Sequence, residues 1–315
     1  MRFFYSLIYF ILIFFNASCQ ADTSFIPVAA YWEKGDEFHF KVTKVKQTWQ
    51  DKNLTQDDST EYIARFLVTD TDSSSYTIEW SFINTFFDLL GLPPESREKF
   101  PSYRNIIVVY TTDEFGAFTG IENWQEIGRM INDLADEFIL LKSNNSKTTT
   151  EDLKKSLEPM LTVFSSKRGI EQLVFKELLM MHFPFGKQYE RGKIYNYTEQ
   201  VPIMVNSEPV TGSGIIFIRL ANLDSQRCEL VQRMKILPDS AKKMLRSHFH
   251  SIGMRPQAIP ATIESSRVDV NEENFYDYYY YPGIPIKVSA SRETQINVLE
   301  DNIKQTDITL IEWIE

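Results

Sequence analysis

The chain has 315 residues, enough for one large domain or two, with the apolar and charged fractions of an ordinary globular protein. It carries 33 Lys and Arg against 43 Asp and Glu, a formal charge of −10, and shows no basic stripe. That balance argues against nucleic acid and anionic lipid headgroups as partners.

The first segment is a targeting signal. Arg2 and the apolar run Phe3 to Phe15 read as the n- and h-regions of a signal peptide over residues 1–18, too short to span a bilayer comfortably. Asn16-Ala17-Ser18-Cys19 resembles a relaxed bacterial lipobox, with Asn16 in place of the usual Leu. The resemblance implies that Cys19 is acylated and that the membrane is a partner through that N-terminal lipid. Residues 19–24 then form a short polar tether. The other Cys is Cys228, so no disulfide is expected within one acylated chain. Cys228 sits in an alternating pattern and reads as a small core residue.

Lys34–Asp36 predicts a turn opening into a strand with Phe38, Phe40 and Val42 on one face. Asp51–Ser59 reads as a polar loop. Glu61–Thr69 and Tyr76–Phe82 read as strands around an Asp70–Ser75 turn, with Ile78, Trp80 and Phe82 alternating cleanly. Ile106–Tyr110 is a further strand, Asp113–Gly116 a turn and Ala117–Ile121 the return. Asn123 and Glu126 have capping-box spacing, and Trp124, Ile127, Ile131, Leu134, Phe138 and Leu141 form one helical stripe that must lie on a core. Thr148–Thr150 offers a cap for a helix spaced by Leu153, Leu157 and Leu161, which Pro159 should kink or interrupt. Gly169–Phe183 predicts another helix, ended by Pro184. A short helix follows at Asp239–Ile252, and Asp307–Ile314 predicts the last strand.

Gln188–Tyr197, laid against Tyr31–Phe40, keeps aromatic, Glu, basic, Gly and aromatic–x–aromatic in the same register. Gly214–Leu223 with Arg227–Gln232 likewise repeats Glu61–Phe82, and Tyr278–Val288 repeats Val108–Ile121. The expected fold is therefore α+β, mainly antiparallel β, with two related curved-sheet halves and helices inserted between them. The first half covers residues 25–185 with its helical insert, and the second covers 186–315. The Trp-x-Lys-Gly-Asp opening and the Tyr-x-x-Asp-Glu-x-Gly-x-Phe…Asn-Trp segment resemble uncharacterised envelope lipoproteins of Bacteroidota. That resemblance implies a location in the cell envelope, as an outer-membrane lipoprotein, and no particular catalytic residues. The β-rich architecture is also reminiscent of half-barrels that carry apolar ligands across the envelope, an analogy of fold alone.

No phosphate loop, nucleophile elbow or His-Glu-x-x-His helix is present, and nothing in the sequence calls for a cofactor or metal. His248 and His250 would point about 200° apart on a helix, which rules out a shared metal there. Asp113-Glu114 beside Gly116 reads as a solvated turn. Phe275–Tyr281 is the most suggestive stretch. Tyr276, Tyr278 and Tyr280 share one strand face, able either to pack as core or to line a site for an apolar ligand or glycan. Two function classes follow. One is a non-enzymatic envelope lipoprotein that binds an apolar ligand or an envelope partner. The other is an exported hydrolase with dispersed carboxylates, beside which a structural or assembly role also stands. A deep apolar cavity would favour binding, and a cleft with paired, perturbed carboxylates would favour the enzyme.

Overall fold

A computed structural model describes residues 24–145, 149–201, 210–251, 263, 266–298 and 301–314. The signal peptide, Cys19 and all but the last residue of the tether lie outside the described residues. The protein is mostly antiparallel β. A first meander comprises β2 (Glu37–Gln50), β3 (Asn53–Thr71), β4 (Ser75–Ile83), β5 (Asn105–Asp113) and β6 (Phe118–Ile121). A second comprises β8 (Ile194–Val201), β9 (Val210–Asn222), β10 (Arg227–Ile236), β11 (Arg267–Tyr279), β12 (Ile284–Val298) and β13 (Asp301–Ile314). They join through β2 and β13 into one 11-stranded sheet ordered β6-β5-β4-β3-β2-β13-β12-β11-β10-β9-β8. A separate ribbon pairs β1 (Phe25–Val28) with β7 (Lys187–Glu190).

Between β4 and β5 lie two short helices, α1 (Phe86–Leu89) and α2 (Pro94–Lys99). After β6 come α3 (Trp124–Asn145), α4 (Thr150–Phe164), a wide π-helical stretch at Ile170–Val174, and α5 (Lys176–His182). A further helix, α6 (Pro238–Ser251), follows β10 and buries Ala241 and Leu245.

The sheet must curl around α5. His182 meets Tyr110 of β5 at 2.9 Å, Glu177 accepts from the Tyr62 hydroxyl of β3 at 2.7 Å, and the Tyr278 hydroxyl of β11 donates to the Met181 carbonyl. In a flat sheet β5 and β11 would lie roughly 29 Å apart, six strand spacings of about 4.8 Å. Helix α5 is only about 10 Å long. Both strands can touch it only if the sheet wraps it.

One face of the central strands is therefore core over the stretch that surrounds the helices. The period-two rows Phe40 and Val42, Ala64 and Phe66, Ile78 and Trp80, and Ile106 and Val108 all close onto the helices. Trp32 plugs one end, with its ring against Phe66, Tyr76, His182 and Phe185, and its indole N–H donating to the Gly283 carbonyl at 3.0 Å. The β5–β6 turn passes so close to this plug that a Cβ on Gly116 (φ +91°) would sit 2.8 Å from both Ala30 and Phe185.

Several local expectations need correction. Asp51–Ser59 is not a loop. Asp51 and Lys52 make the turn with positive φ, and β3 starts at Asn53, its polar residues paired with β2 in a ribbon that runs beyond the core. Asn123 caps nothing with its side chain. Its amide instead accepts from the Val109 N–H at 2.9 Å and donates to the Ile107 carbonyl at 2.8 Å, which ties the start of α3 to β5. Pro159 does not end α4, which continues to Phe164, since one lost N–H leaves the rest of the ladder in place. Gly169–Phe183 is not one helix, because the wide turn closes at Phe175 (φ −117°, ψ 39°) before α5 begins. The stripe of α3 is rotated from its expected centre. Ile127, Ile131 and Leu134 are buried as expected, but Met130, Ala135 and Ile139 join them while Trp124 and Phe138 stay half-buried.

Candidate functional site

The core-facing rows of the second meander change chemistry along the strands. The row Tyr276, Val288, Ile311, Val42 and Tyr62 crosses β11, β12, β13, β2 and β3 and is wholly buried. One step along, the same strands present Asn274, Ala290, Thr309, Lys44 and Thr60. One further step presents Glu272, Arg292, Asp307, Lys46 and Asp58, five residues of alternating sign. This side of the sheet thus runs from apolar to polar to charged away from the Trp32 plug, with Lys46 and Asp58 exposed on the ribbon beyond the core.

Where this gradient passes under the π-helical stretch and α5, a cleft of about 370 Å³ opens. Leu179, Met180 and Phe183 supply an apolar wall, and Tyr276 lies at the floor with its ring stacked on Phe183 (centroids 5.3 Å apart, 18° between planes). The polar lining comes from Gln172, Lys176, Glu199, Gln232, Asn274 and Arg292, with Glu272 and Asp307 between them.

Gln232, Asn274, Glu272 and Arg292 form one network with Tyr197 and Tyr276, while other polar groups of the lining are left loose. Gln232 donates to the Tyr197 hydroxyl at 2.6 Å, and its carbonyl accepts from the Tyr276 hydroxyl at 2.9 Å and from the Asn274 amide at 3.0 Å. The Asn274 amide also donates to Glu272 at 2.9 Å, and Arg292 donates twice to Glu272, at 2.8 and 2.6 Å. Two acceptors on its amide nitrogen fix which way Asn274 points. Its carbonyl oxygen, in a residue only 3% exposed, then has no partner. An orphan of this kind costs about 1–3 kcal/mol. Lys176 is loose as well, making neither a hydrogen bond nor an ion pair among the described residues. Desolvation lowers its pKa, with the Arg292 and Lys44 charges acting in the same direction and Asp307 against them. On the opposite wall, partial desolvation and the nearby Glu272 carboxylate hold Glu199 above the usual carboxylate range.

Of the three tyrosines singled out from sequence, only Tyr276 reaches this cleft. Tyr278 is fully buried against Phe185 at the plugged end, and Tyr280 lies on the far side of it, its hydroxyl 3.5 Å from the Leu223 carbonyl. Lys176, Asn274, Gln232 and Arg292 were not anticipated. The available signal was polarity at core parity: Glu272 and Asn274 precede Tyr276 and Tyr278 on the same face of β11, as Gln232 stands between Leu230 and Met234 on β10.

Elsewhere the chemistry is structural. Asp113 accepts from the Phe115 and Ala117 N–H groups and shapes its turn. Cys228 is fully buried, and desolvation pushes its thiol up to about 12, far from a reactive thiolate. His248 and His250 both lie in α6, two residues apart. No family model matches the chain, and no curated protein is detectably similar to it in sequence.

Proposed function

We propose that this is an exported envelope protein, acylated at Cys19, that acts by binding and not by catalysis, with its ligand lodged between α5 and the second meander. The observation that carries this reading is the pair of unmet groups in one cleft, the Asn274 carbonyl and the Lys176 ammonium. Of the four buried polar atoms without a partner among the described residues, the Asn274 carbonyl is the one whose residue lines this cleft, and the partly exposed Lys176 lines it too. The lining favours a ligand with hydroxyl or amide groups and one apolar face, a glycan before a plain hydrocarbon chain. Amides and carboxylates can share the protons of adjacent hydroxyls, and Phe183 with Tyr276 offers ring surface. An apolar molecule alone would leave the Asn274 carbonyl unsatisfied.

The two meanders are, in this reading, duplicated halves. Each begins at a positive-φ glycine, Gly35 before β2 and Gly192 before β8, and each runs through sequential hairpins with helix inserted after the third strand. The first half has filled its concave face with aromatic core, and the second has kept a polar site.

An array carrying envelope oligosaccharides beside straight-chain fatty acids tests the site. Wild type should bind oligosaccharide, and Lys176→Met and Asn274→Leu should each weaken it about tenfold or more, one lost charged or buried hydrogen bond, with the melting temperature unchanged in Lys176→Met, which breaks no internal bond. Retention on fatty acids alone, unaffected by either change, would refute the assignment. The hydrolase reading is supported by one observation, the raised Glu199 carboxyl in the same cleft lining as Glu272, two carboxylates of the kind acid–base work uses. Release of reducing sugar by wild type and its loss in Glu199→Gln would favour that reading instead.

A further inference from the structure

The plugged end of the molecule carries exposed aromatic side chains that the core does not use. Tyr31 is 50%, Phe115 49% and Tyr281 52% exposed, although they belong to three separate segments. The backbone draws those segments together. The Ala30 N–H donates to the Phe115 carbonyl at 2.8 Å and the Tyr31 N–H to the Pro282 carbonyl at 3.0 Å, while the Tyr31 and Tyr281 rings lie 5.0 Å apart. Beneath them Trp32 and Phe185 already fill the interior, so the rim has no room to fold inward. Phe25 and Leu223 add exposed apolar surface nearby, Leu223 in the β9–β10 turn that Tyr280 reaches.

What covers this rim follows from where the chain leaves the described structure. The Ser24 carbonyl accepts from the Arg191 N–H at 2.7 Å, in the turn that starts β8. Strand β8 starts from the rim side of the sheet, since Ile194 pairs with Phe217, nearer to the β9–β10 turn than to the other end of β9. Only five residue steps separate Cys19 from Ser24, at most about 18 Å of chain. An acyl chain on Cys19 therefore holds this end, and not the cleft end, against the bilayer. Aromatic rings with one apolar face and a polar edge are suited to the headgroup layer. Charge in the turns beside the rim is balanced, Lys34 pairing with Asp70 at 3.0 Å and Lys193 with Glu190 at 3.1 Å, which fits zwitterionic and not strongly anionic lipid.

We infer that Tyr31, Phe115 and Tyr281 form a lipid-contacting rim that seats the acylated protein on a zwitterionic bilayer with its ligand cleft pointing away. This rests on the acylation of Cys19, and the test separates the two. Single cysteines at Phe115→Cys and Leu54→Cys take a nitroxide label, Cys228 being buried and unreactive. Leu54 is 48% exposed at the opposite end, beside the β2–β3 turn. In the full acylated chain on phosphatidylcholine vesicles, the label at 115 should collide with oxygen several-fold more than with a water-soluble nickel complex, and the label at 54 should behave as in water. A chain that floats with vesicles while both labels report water overturns the rim and leaves the anchor standing. A chain that floats no better than Cys19→Ser overturns the anchor, and the rim with it. Self-association through the rim in solution, with no collision change on vesicles, would assign it to a second copy and also refute the proposal.

Discussion

Ile131→Asp should lower the melting temperature by on the order of 10 °C, while Asn132→Asp stays within a few degrees of wild type. Ile131 is nearly buried where α3 meets the first meander. Its removal forfeits a packed side chain, about 2–4 kcal/mol, and leaves a carboxylate without a partner or forces it to take a proton. Asn132 lies about 100° round the helix, half-buried, with its amide donating to the Gly128 carbonyl at 2.9 Å. Losing that single bond costs under about 1 kcal/mol. Equal melting of Ile131→Asp and wild type would mean that α3 does not rest on the sheet.

The second large effect is a pH dependence set by His182. Its Nδ1–H donates to the Gly116 carbonyl at 2.7 Å, and its Nε2 accepts from Tyr110 at 2.9 Å, inside a closed shell of Trp32, Phe118 and Phe185. Desolvation lowers its pKa to about 4, against partial opposition from Gly116 and Asp113, while the unfolded chain titrates near 6.5. Between these values the unfolded state binds a proton that the folded state refuses, so stability rises with pH. The contribution is complete above about pH 6.5 and is lost progressively as pH falls toward about 4, on the order of 3 kcal/mol in total. Urea unfolding of wild type and His182→Gln at pH 7, 5.5 and 4 isolates it. Wild type should lose stability more steeply by roughly that amount, although His182→Gln is the less stable protein at pH 7. Parallel curves would show that His182 is not held neutral.

The fold was legible wherever burial is one-sided and periodic. Ile78, Trp80 and Phe82 alternate because one face of β4 meets the core and the other does not, and the turn at Asp113–Gly116 declared itself by its residues. The errors have a common cause in distant partners. Asn123 has the right spacing for a cap, but β5 competes for its amide. Glu137 looks like a surface residue on α3, yet it is buried by pairing with Lys99 and Ser96 of α2. The buried arc of α3 is broader because Met130 meets Asn84 after β4 at 3.5 Å, and α4 packs so close that a Cβ on Gly128 would sit 2.9 Å from the Phe164 carbonyl.

The cleft was illegible for a stronger version of the same reason. Its polar groups come from the helices and from five strands, and each alone looks like an ordinary solvent-facing residue. Only the curl of the sheet around α5 turns Lys176 toward Arg292 and Asp307, and makes the parity of Asn274 meaningful. The tyrosine run drew attention to the right face of β11, but at Tyr278 and Tyr280 that face is core and rim, while the site begins at Tyr276 and runs the other way.

Native mass spectrometry of the full chain, purified from envelope without harsh detergent, tests the central claim most directly. The expected result is an acylated chain with an additional non-covalent mass that fragments as hydroxyl-rich ligand, and loss of that mass in both Lys176→Met and Asn274→Leu at unchanged acylation. A bare chain, or a bound mass that persists undiminished in both variants, would contradict it.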